Sequence, residues 1–175
     1  MCRVVSARRL LAGREPPSIP SLRMNAAAAT DDPHDLKRFL DAQRGVVEDA
    51  LAELAAGRKR GHWMWFVFPQ LRGLGHSGMA QRYGIASLAE AQAYAAHPVL
   101  GERLREATRR VLAAHRREGR GAEAMLGGID AVKLRSSLTL FARACPGEPL
   151  FAQGLDALFE GVYDPLTLEL GGVGD

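Results

Sequence analysis

The most aromatic segment of the chain reads Arg58-Lys-Arg-Gly-His-Trp-Met-Trp-Phe-Val-Phe-Pro-Gln70. It holds both tryptophans of the 175-residue chain and two of its six phenylalanines. Large aromatic side chains bury much apolar surface and dominate the energetics of a protein core. We therefore expect most of these rings to lie at the centre of the core, with the rest of the chain packed around them.

The conformation of this segment has two readings. Its short apolar run fits a buried strand, but the rest of the sequence offers no strand partner, and a lone strand leaves its backbone groups unpaired. We therefore predict a helical turn or short helix over residues 63–67. Its four large rings cannot all point inward, and Trp63 and Phe66 share a face from which Trp65 is excluded. At least one ring is thus expected to border a cleft.

Helical patterns follow one another through the rest of the chain. Apolar residues three, four and seven apart predict one helix from Pro33 to a C-cap at Gly57, with a slight irregularity at Gly45. Asp130 is expected to cap a later helix. The further predicted helices cover residues 79–83, 87–96, 99–117, 122–126, 131–144, 149–159 and 166–170. The sequence therefore predicts an all-α fold, a single globular domain of about seven or eight helices packed orthogonally.

The composition is that of a soluble globular protein, with 47% hydrophobic and 25% charged residues. No apolar run approaches the roughly 20 residues that a membrane-spanning helix needs. The net charge is +3, but residues 1–23 carry five arginines against one glutamate, a balance of +4 that leaves −1 for the other 152 residues. This distribution disfavours nucleic-acid binding. The basic residues 58–60 beside two tryptophans resemble a binding site for single-stranded nucleic acid. Three positive charges predict that such binding would be weak and sensitive to salt.

The first 31 residues are predicted to be disordered or to be an upstream extension of the gene model, which leaves residues 32–175 as the domain. Residues 1–23 are rich in arginine and contain three prolines, and Met24 resembles a natural start. An organelle transit peptide is the alternative.

The chain has two cysteines, Cys2 and Cys145, and no Cys-x-x-Cys spacing. We therefore expect neither a structural disulfide nor a zinc site, and we predict a cytoplasmic protein without a metal or cofactor.

A second unusual segment reads Lys133-Leu-Arg-Ser-Ser-Leu-Thr139. Three hydroxyls and two cations within two turns are uncommon on an otherwise apolar helix, because Ser and Thr are poor interior helix formers. Either the hydroxyls bond to carbonyls one turn earlier and are structural, or the segment is an anion-binding face near the positive end of its helix. A Lys–Ser pair can also activate a serine nucleophile, but no oxyanion donors are recognisable.

Three segments resemble the bacterial domain-of-unknown-function family numbered 1810. They are Lys59–Gln70 with Gly73-Leu-Gly75 after it, Lys133–Phe141, and Asp35–Gln43. The likeness covers about residues 33–170 and implies a compact, soluble, all-helical fold without an established activity. Some members carry a calpastatin label, which does not transfer because calpain-inhibitor repeats are disordered. One departure is Gly61, where the family often has Ser, and this is expected to weaken a cap for the aromatic turn.

Two functions are compatible with these segments. The first is binding of a small anionic or nucleotide-like ligand in a cleft between residues 62–70 and 131–144, with hydrolysis of an ADP-ribose-like substrate suggested by analogy of layout. The second is a non-catalytic protein-interaction module in which both segments are structural. Neither catalytic residues nor protein partners can be assigned, so whether the protein is an enzyme stays open. The ligand-binding candidates are His62, Trp63, Trp65, Gln70, Lys133, Arg135, Ser136, Ser137 and Thr139.

Overall fold

The computed structural model describes residues 31–172. The regular secondary structure of this part is all helical, and it contains no strand beyond one isolated bridge between Leu71 and Ile85. The all-α prediction is confirmed. The ten helices of the described part are α1 (Lys37–Gln43), α2 (Val47–Ala55), α3 (Met64–Val67), α4 (Gly78–Arg82), α5 (Leu88–Ala96), α6 (Leu100–Glu118), α7 (Ala122–Leu126), α8 (Gly128–Ala144), α9 (Pro149–Phe159) and α10 (Pro165–Leu170). The prediction for residues 1–31 lies outside the described residues, apart from Asp31.

Between residues 31 and 172, none of the helices has both the length and the apolar character that crossing a bilayer requires.

The first predicted helix is two helices, α1 and α2, and the prediction of a single one is wrong. The backbone of Arg44 is extended at ψ 120°, and Gly45 adopts a left-handed φ of 73°. Glycine reaches this conformation without the steric cost that a Cβ brings. Gly45 therefore separates two helices, and is not an irregularity within one. Gly57, at φ 61°, follows the C-cap of α2 in the same left-handed region.

The aromatic segment forms a single helical turn, α3, as the sequence predicts. Trp63 and Phe68 are almost fully buried, at 1% and 0% exposure, and Phe66 is buried beside them. Trp65 is only half-buried and packs against the edge of the core. Most of the rings are therefore in the core, as expected, and Trp65 is the ring that is partly exposed.

Helix α8 packs against five other helices, α3, α5, α7, α9 and α10. A chain of aromatic contacts crosses it, with ring centroids 5.0 Å apart for Phe39 and Tyr94, 5.5 Å for Tyr94 and Phe141, and 5.6 Å for Phe141 and Phe151. Such tilted and edge-on pairs stabilise a core beyond the area that they bury. This packing fixes α8 at the centre of the fold, beside the aromatic turn.

The start of α8 differs from the prediction. The helix begins at Gly128 with Gly127 as its N-cap, so Asp130 lies within the first turn and is not the cap. Gly127 adopts φ 88°, which lets the chain turn sharply into the helix. Because Asp130 does not cap the helix, its carboxylate is available to side chains from elsewhere in the fold.

Candidate functional site

The aromatic turn and the polar face of α8 meet at Lys133 and Trp65. The Lys133 ammonium nitrogen lies 4.2 Å from the centroid of the Trp65 ring. A cation at this distance from a tryptophan face is attracted by the ring quadrupole. The contact between the two sequence segments, on which a shared site depends, is therefore present in the fold.

Asp130 joins this pair to the first segment. Its Oδ1 accepts a hydrogen bond from Lys133 Nζ at 3.0 Å, and its Oδ2 lies 2.7 Å from Lys59 Nζ. The Lys59 ammonium also donates to the Gly61 carbonyl and lies 5.0 Å from the Trp63 ring centroid. We call Lys59, Asp130 and Lys133 the lysine–aspartate cluster. Two of the three lysines in this arginine-rich chain belong to it.

The cluster carries a net positive charge at neutral pH. Burial alone would raise the pKa of Asp130, but hydrogen bonds and charge from Lys59 and Lys133 outweigh it and hold the pKa below its ordinary value of 3.8. Asp130 is therefore ionised, and one carboxylate faces two ammonium groups. The Lys59 side chain is 7% exposed, whereas those of Lys133 and Asp130 are each 18% exposed. Solvent thus reaches the cluster from the Lys133 side.

Lys133 has hydrogen-bonding capacity that the protein does not use. An ammonium group has three donors. Within residues 31–172 the Lys133 ammonium donates one hydrogen bond, to Asp130, and otherwise lies over the Trp65 ring. Its remaining donors are available to an anion arriving from solvent.

Glu53, which the sequence did not single out, holds the first segment in place. Its carboxylate accepts hydrogen bonds from Arg60 N at 2.7 Å, from Gly61 N at 2.9 Å and from Trp63 Nε1 at 2.9 Å. Burial would raise the pKa of Glu53, but these donors and Lys59 lower it below its ordinary value. Trp63 is thus a core residue whose indole N–H is satisfied, so it is not available for a ligand.

Gly61 fits this arrangement closely. A Cβ at this position would lie 2.8 Å from Trp63 Cδ1 and 3.3 Å from Glu53 Oε1. The N-cap of α3 is Trp63. No side-chain hydrogen bond caps α3, and the glycine at position 61 leaves room for the indole of Trp63.

Three of the candidate residues on α8 make structural contacts. Arg135 donates to the carbonyls of Val162 and Tyr163 at 2.8 and 2.7 Å, and Thr139 Oγ1 accepts from Asp164 N at 2.9 Å. Ser136 Oγ donates to the Val132 carbonyl of its own helix at 3.1 Å. Arg135 and Thr139 thus fasten the segment before α10 to α8, and Ser136 follows the structural alternative.

Ser137 remains on the side of Lys133, four residues further along α8, where side chains share a face. Its hydroxyl is fully buried and has no hydrogen-bond partner in the described part of the chain. A buried hydroxyl without a partner costs free energy. No contact in the described part of the chain explains why a serine stands at this position.

His62 and Gln70, the polar ends of the first segment, lie in different surroundings. His62 is exposed. Gln70, Trp65 and Tyr83 border one small cavity. The cavity has a volume of about 10 Å³. That volume holds about one water molecule. Lys133 and Ser137 do not line this cavity. The candidates of the aromatic turn and those of α8 therefore do not share one cavity.

The comparisons with known proteins agree with this fold. A family model described as a protein of unknown function (DUF1810) matches residues 33–170. The crystal structure of the conserved hypothetical protein Rv1873 from Mycobacterium tuberculosis is similar, with 52% sequence identity and a TM-score of 0.77, over 82% of this chain and 100% of that one. Among curated proteins, none matches the chain. The matched residues include all of the lysine–aspartate cluster.

Proposed function

The chain belongs to the DUF1810 family of proteins of unknown function, and we propose that it binds a small anionic, nucleotide-like ligand at the lysine–aspartate cluster. The observation that carries the proposal is the Lys133 ammonium. It lies on the ring of Trp65, it is reachable from solvent, and it gives only one hydrogen bond to the protein. Two ammonium groups against one carboxylate leave a positive charge at that point.

The burial of the cluster determines how strongly an anion is held. Charges near a protein surface interact several times more strongly than in bulk water, because the effective dielectric constant is lower. Lys59 keeps Asp130 paired, since its Nζ lies 2.7 Å from Oδ2. A ligand anion can therefore accept hydrogen bonds from Lys133 without leaving Asp130 as an uncompensated charge. A phosphate or carboxylate is the group that this arrangement supports best.

The nucleotide-like part of the ligand would lie on the half-exposed side of Trp65. The cavity between Trp65 and Gln70 is too small for a ring, since it holds about one water molecule. One face of the indole is taken by the Lys133 ammonium. The anion is therefore the anchor, and the exposed edge of Trp65 contributes apolar contact to whatever group carries it.

Hydrolysis of an ADP-ribose-like substrate is the narrower form of this proposal. A general base must reach a water molecule and accept its proton. Asp130 is ionised, but each of its oxygens is paired with a lysine. The geometry therefore supports binding more than catalysis. Incubation of ADP-ribose with the purified protein, followed by chromatography of the products, tests the catalytic step separately from binding.

A non-catalytic interaction module is the second candidate. Ile129 and Val132 are 78% and 60% exposed and lie three residues apart on α8, where they share one face. Exposed apolar side chains side by side favour a protein contact. Size-exclusion chromatography of the wild type and an Ile129→Ser/Val132→Ser variant tests it. A wild type that stays monomeric at every concentration counts against self-association. The cytoplasmic location is a prediction that belongs with either function.

A thermal-shift experiment tests the binding proposal. Inorganic phosphate, AMP and ADP-ribose are added to the wild type at low ionic strength, where charge interactions are least screened. At least one of them is expected to raise Tm, and Lys133→Met is expected to abolish that rise while keeping the apolar stem over Trp65. The matched control is Lys37→Met, because Lys37 also forms an ion pair within its own helix, with Asp41 four residues further along α1, and both of these side chains are exposed.

Two results would sink the proposal. One is that none of the three compounds changes Tm. The other is that Lys133→Met keeps the same shift as the wild type and the Lys37→Met control.

A further inference from the structure

The segment that connects α2 to α3 sends its basic side chains to two different sides. Lys59 is turned inward to Asp130, whereas Arg58 and Arg60 on either side of it are exposed. The backbone alternates in the same way, since Lys59 N donates to the Met125 carbonyl and Arg60 N donates to Glu53. Alternation of this kind is the pattern of an extended backbone. Arg58 and Arg60 therefore share the side opposite the lysine–aspartate cluster.

Both arginines line a groove of about 560 Å³. This volume lies within the range of small-molecule sites. One wall is a face of α2, and the other residues come from the connecting segment and from the end of α6 and the residues after it. The lining residues are Asp49, Ala52, Glu53, Ala56, Arg58, Arg60, Glu118 and Arg120. Three arginines and three acidic residues thus face the same space, so the net charge alone does not identify a ligand.

Two of the three acidic groups, Glu53 and Glu118, already have partners, and so does Arg120, which donates to Glu118 and to the carbonyls of Gly57 and Ala124. Glu53 accepts from two backbone amides and from the Trp63 indole. The two oxygens of Glu118 accept from Arg117 at 2.6 Å and from Arg120 at 3.2 Å. These carboxylates therefore do not compete for the other guanidinium groups in the groove.

The remaining acidic residue lies at the other end. Asp49 precedes Ala56 by seven residues on the α2 face, which is about 10 Å along a helix axis. Arg58 and Arg60 have neither an ion-pair nor a hydrogen-bond partner for their guanidinium groups within residues 31–172. The end of the groove at these two arginines therefore holds free, planar donors.

We propose that this end of the groove is a second binding site, for a small molecule that carries a diphosphate. A guanidinium presents its N–H groups as a fork that matches two oxygens of a phosphate. Residues two apart in an extended backbone are about 6.5 Å apart at their Cα atoms, so both side chains can close on adjacent phosphates. The site lies beyond the proposed function, because it uses neither Lys133 nor Trp65.

Isothermal titration with inorganic pyrophosphate at low salt tests this site. The titration is run in a Lys133→Met background, so that binding at the lysine–aspartate cluster does not contribute. Adding Arg58→Gln and Arg60→Gln is expected to weaken binding at least about tenfold, since both charged, forked donors to the diphosphate are lost. The matched control adds Arg109→Gln and Arg143→Gln, which remove two exposed arginines outside the groove, and is expected to bind within about twofold of the background.

The same three titrations in the wild-type background keep the test independent of Lys133→Met. Absence of pyrophosphate binding overturns the proposal, as does equal affinity in the Arg58→Gln/Arg60→Gln and control proteins. Binding of a glutamate-rich peptide without binding of pyrophosphate overturns it as well, because the ligand would then be a protein. ADP-ribose carries a diphosphate and can also bind at Arg58 and Arg60. The thermal-shift test of Lys133 is therefore decided by inorganic phosphate and AMP, which carry no diphosphate, and the two proposals fail separately.

Discussion

Asp130 is the residue through which the two sequence segments become one site. Its pairing with Lys133, three residues further along α8, is readable from helical spacing. Its pairing with Lys59 is not, because the two residues are distant in sequence and only the packing of α8 brings them together. An aspartate just before a predicted helix also resembles a cap, and this local pattern concealed its role in the cluster.

The pH dependence of stability reports on Asp130. Its folded-state pKa is depressed below 3.8, so its ion pairs stabilise the fold above that pH, and this contribution is lost as pH falls through the lowered pKa. Urea unfolding of the wild type and Asp130→Asn is therefore expected to show a stability difference that is largest near neutral pH and shrinks below pH 3.8. A difference that stays constant from neutral to acid pH would show that the ionised carboxylate is not what stabilises the cluster.

Gly61 shows how a single missing methyl group supports the aromatic turn. Gly61→Ala is expected to lower the free energy of unfolding by about 1–3 kcal/mol, because the added Cβ would lie 2.8 Å from Trp63 Cδ1 and overpack a buried ring. Gly78→Ala is the control, since a Cβ there meets nothing within 4 Å. Equal stability of the two variants in urea unfolding would contradict this role of Gly61.

At the scale of helices, most starts and stops were readable from local signals. Ser77, Ser87 and Asp164 each accept a hydrogen bond from the backbone N–H three residues on, as caps do. The break between α1 and α2 was not readable, because the apolar spacing continues across it and a glycine is tolerated within a helix. Only the extended backbone before Gly45 shows that the chain changes direction there.

Gly45→Ala distinguishes one helix from two. In a continuous helix, alanine would stabilise by about 1 kcal/mol relative to glycine. At the observed φ of 73° it is expected to destabilise by about 1–2 kcal/mol. A Cβ there meets nothing within 4 Å, so backbone strain alone decides the sign. Urea unfolding measures it, and a gain in stability would mean that α1 and α2 are one helix.

The hydroxyls of α8 are expected to differ in their effect on stability. Thr139→Val removes the acceptor of the buried Asp164 N–H, which is expected to cost about 1–3 kcal/mol. Ser136→Ala removes a bond to its own helix only and is expected to cost less. Equal losses in urea unfolding would show that Thr139 does not hold the segment before α10.

At the scale of the molecule, the sequence predicted the fold class and the placement of the rings better than it predicted the site. Trp63 and Phe68 are buried and Trp65 is at the edge of the core. The side chains of one helical turn point in different directions, so its large rings cannot all enter the core. The partners of the polar residues could not be predicted. Glu53 receives the Trp63 indole and two amides, and these contacts depend on the packing of α2 beside the connecting segment.

Tertiary structure was also needed to tell which polar candidates contact the aromatic turn and which make structural contacts elsewhere. Lys133 and Arg135 are two residues apart and both basic, yet Lys133 meets Trp65 and Arg135 meets the carbonyls of residues 162 and 163. Helical spacing places them on different faces, but it does not say which face meets the aromatic turn. The packing of α8 between α3 and α10 decides this.

The two tryptophans allow a direct measurement of the binding claim. The chain has two tryptophans, so ¹⁵N-labelled protein is expected to give two indole N–H signals in an NMR spectrum, which Trp65→Phe assigns. Titration with AMP is expected to move the Trp65 signal in the wild type and not in Lys133→Met. The Trp63 signal is expected to stay, because its N–H is donated to Glu53 in the core. A Trp65 signal that does not move at saturating AMP, or that moves equally in Lys133→Met, would contradict binding at the lysine–aspartate cluster.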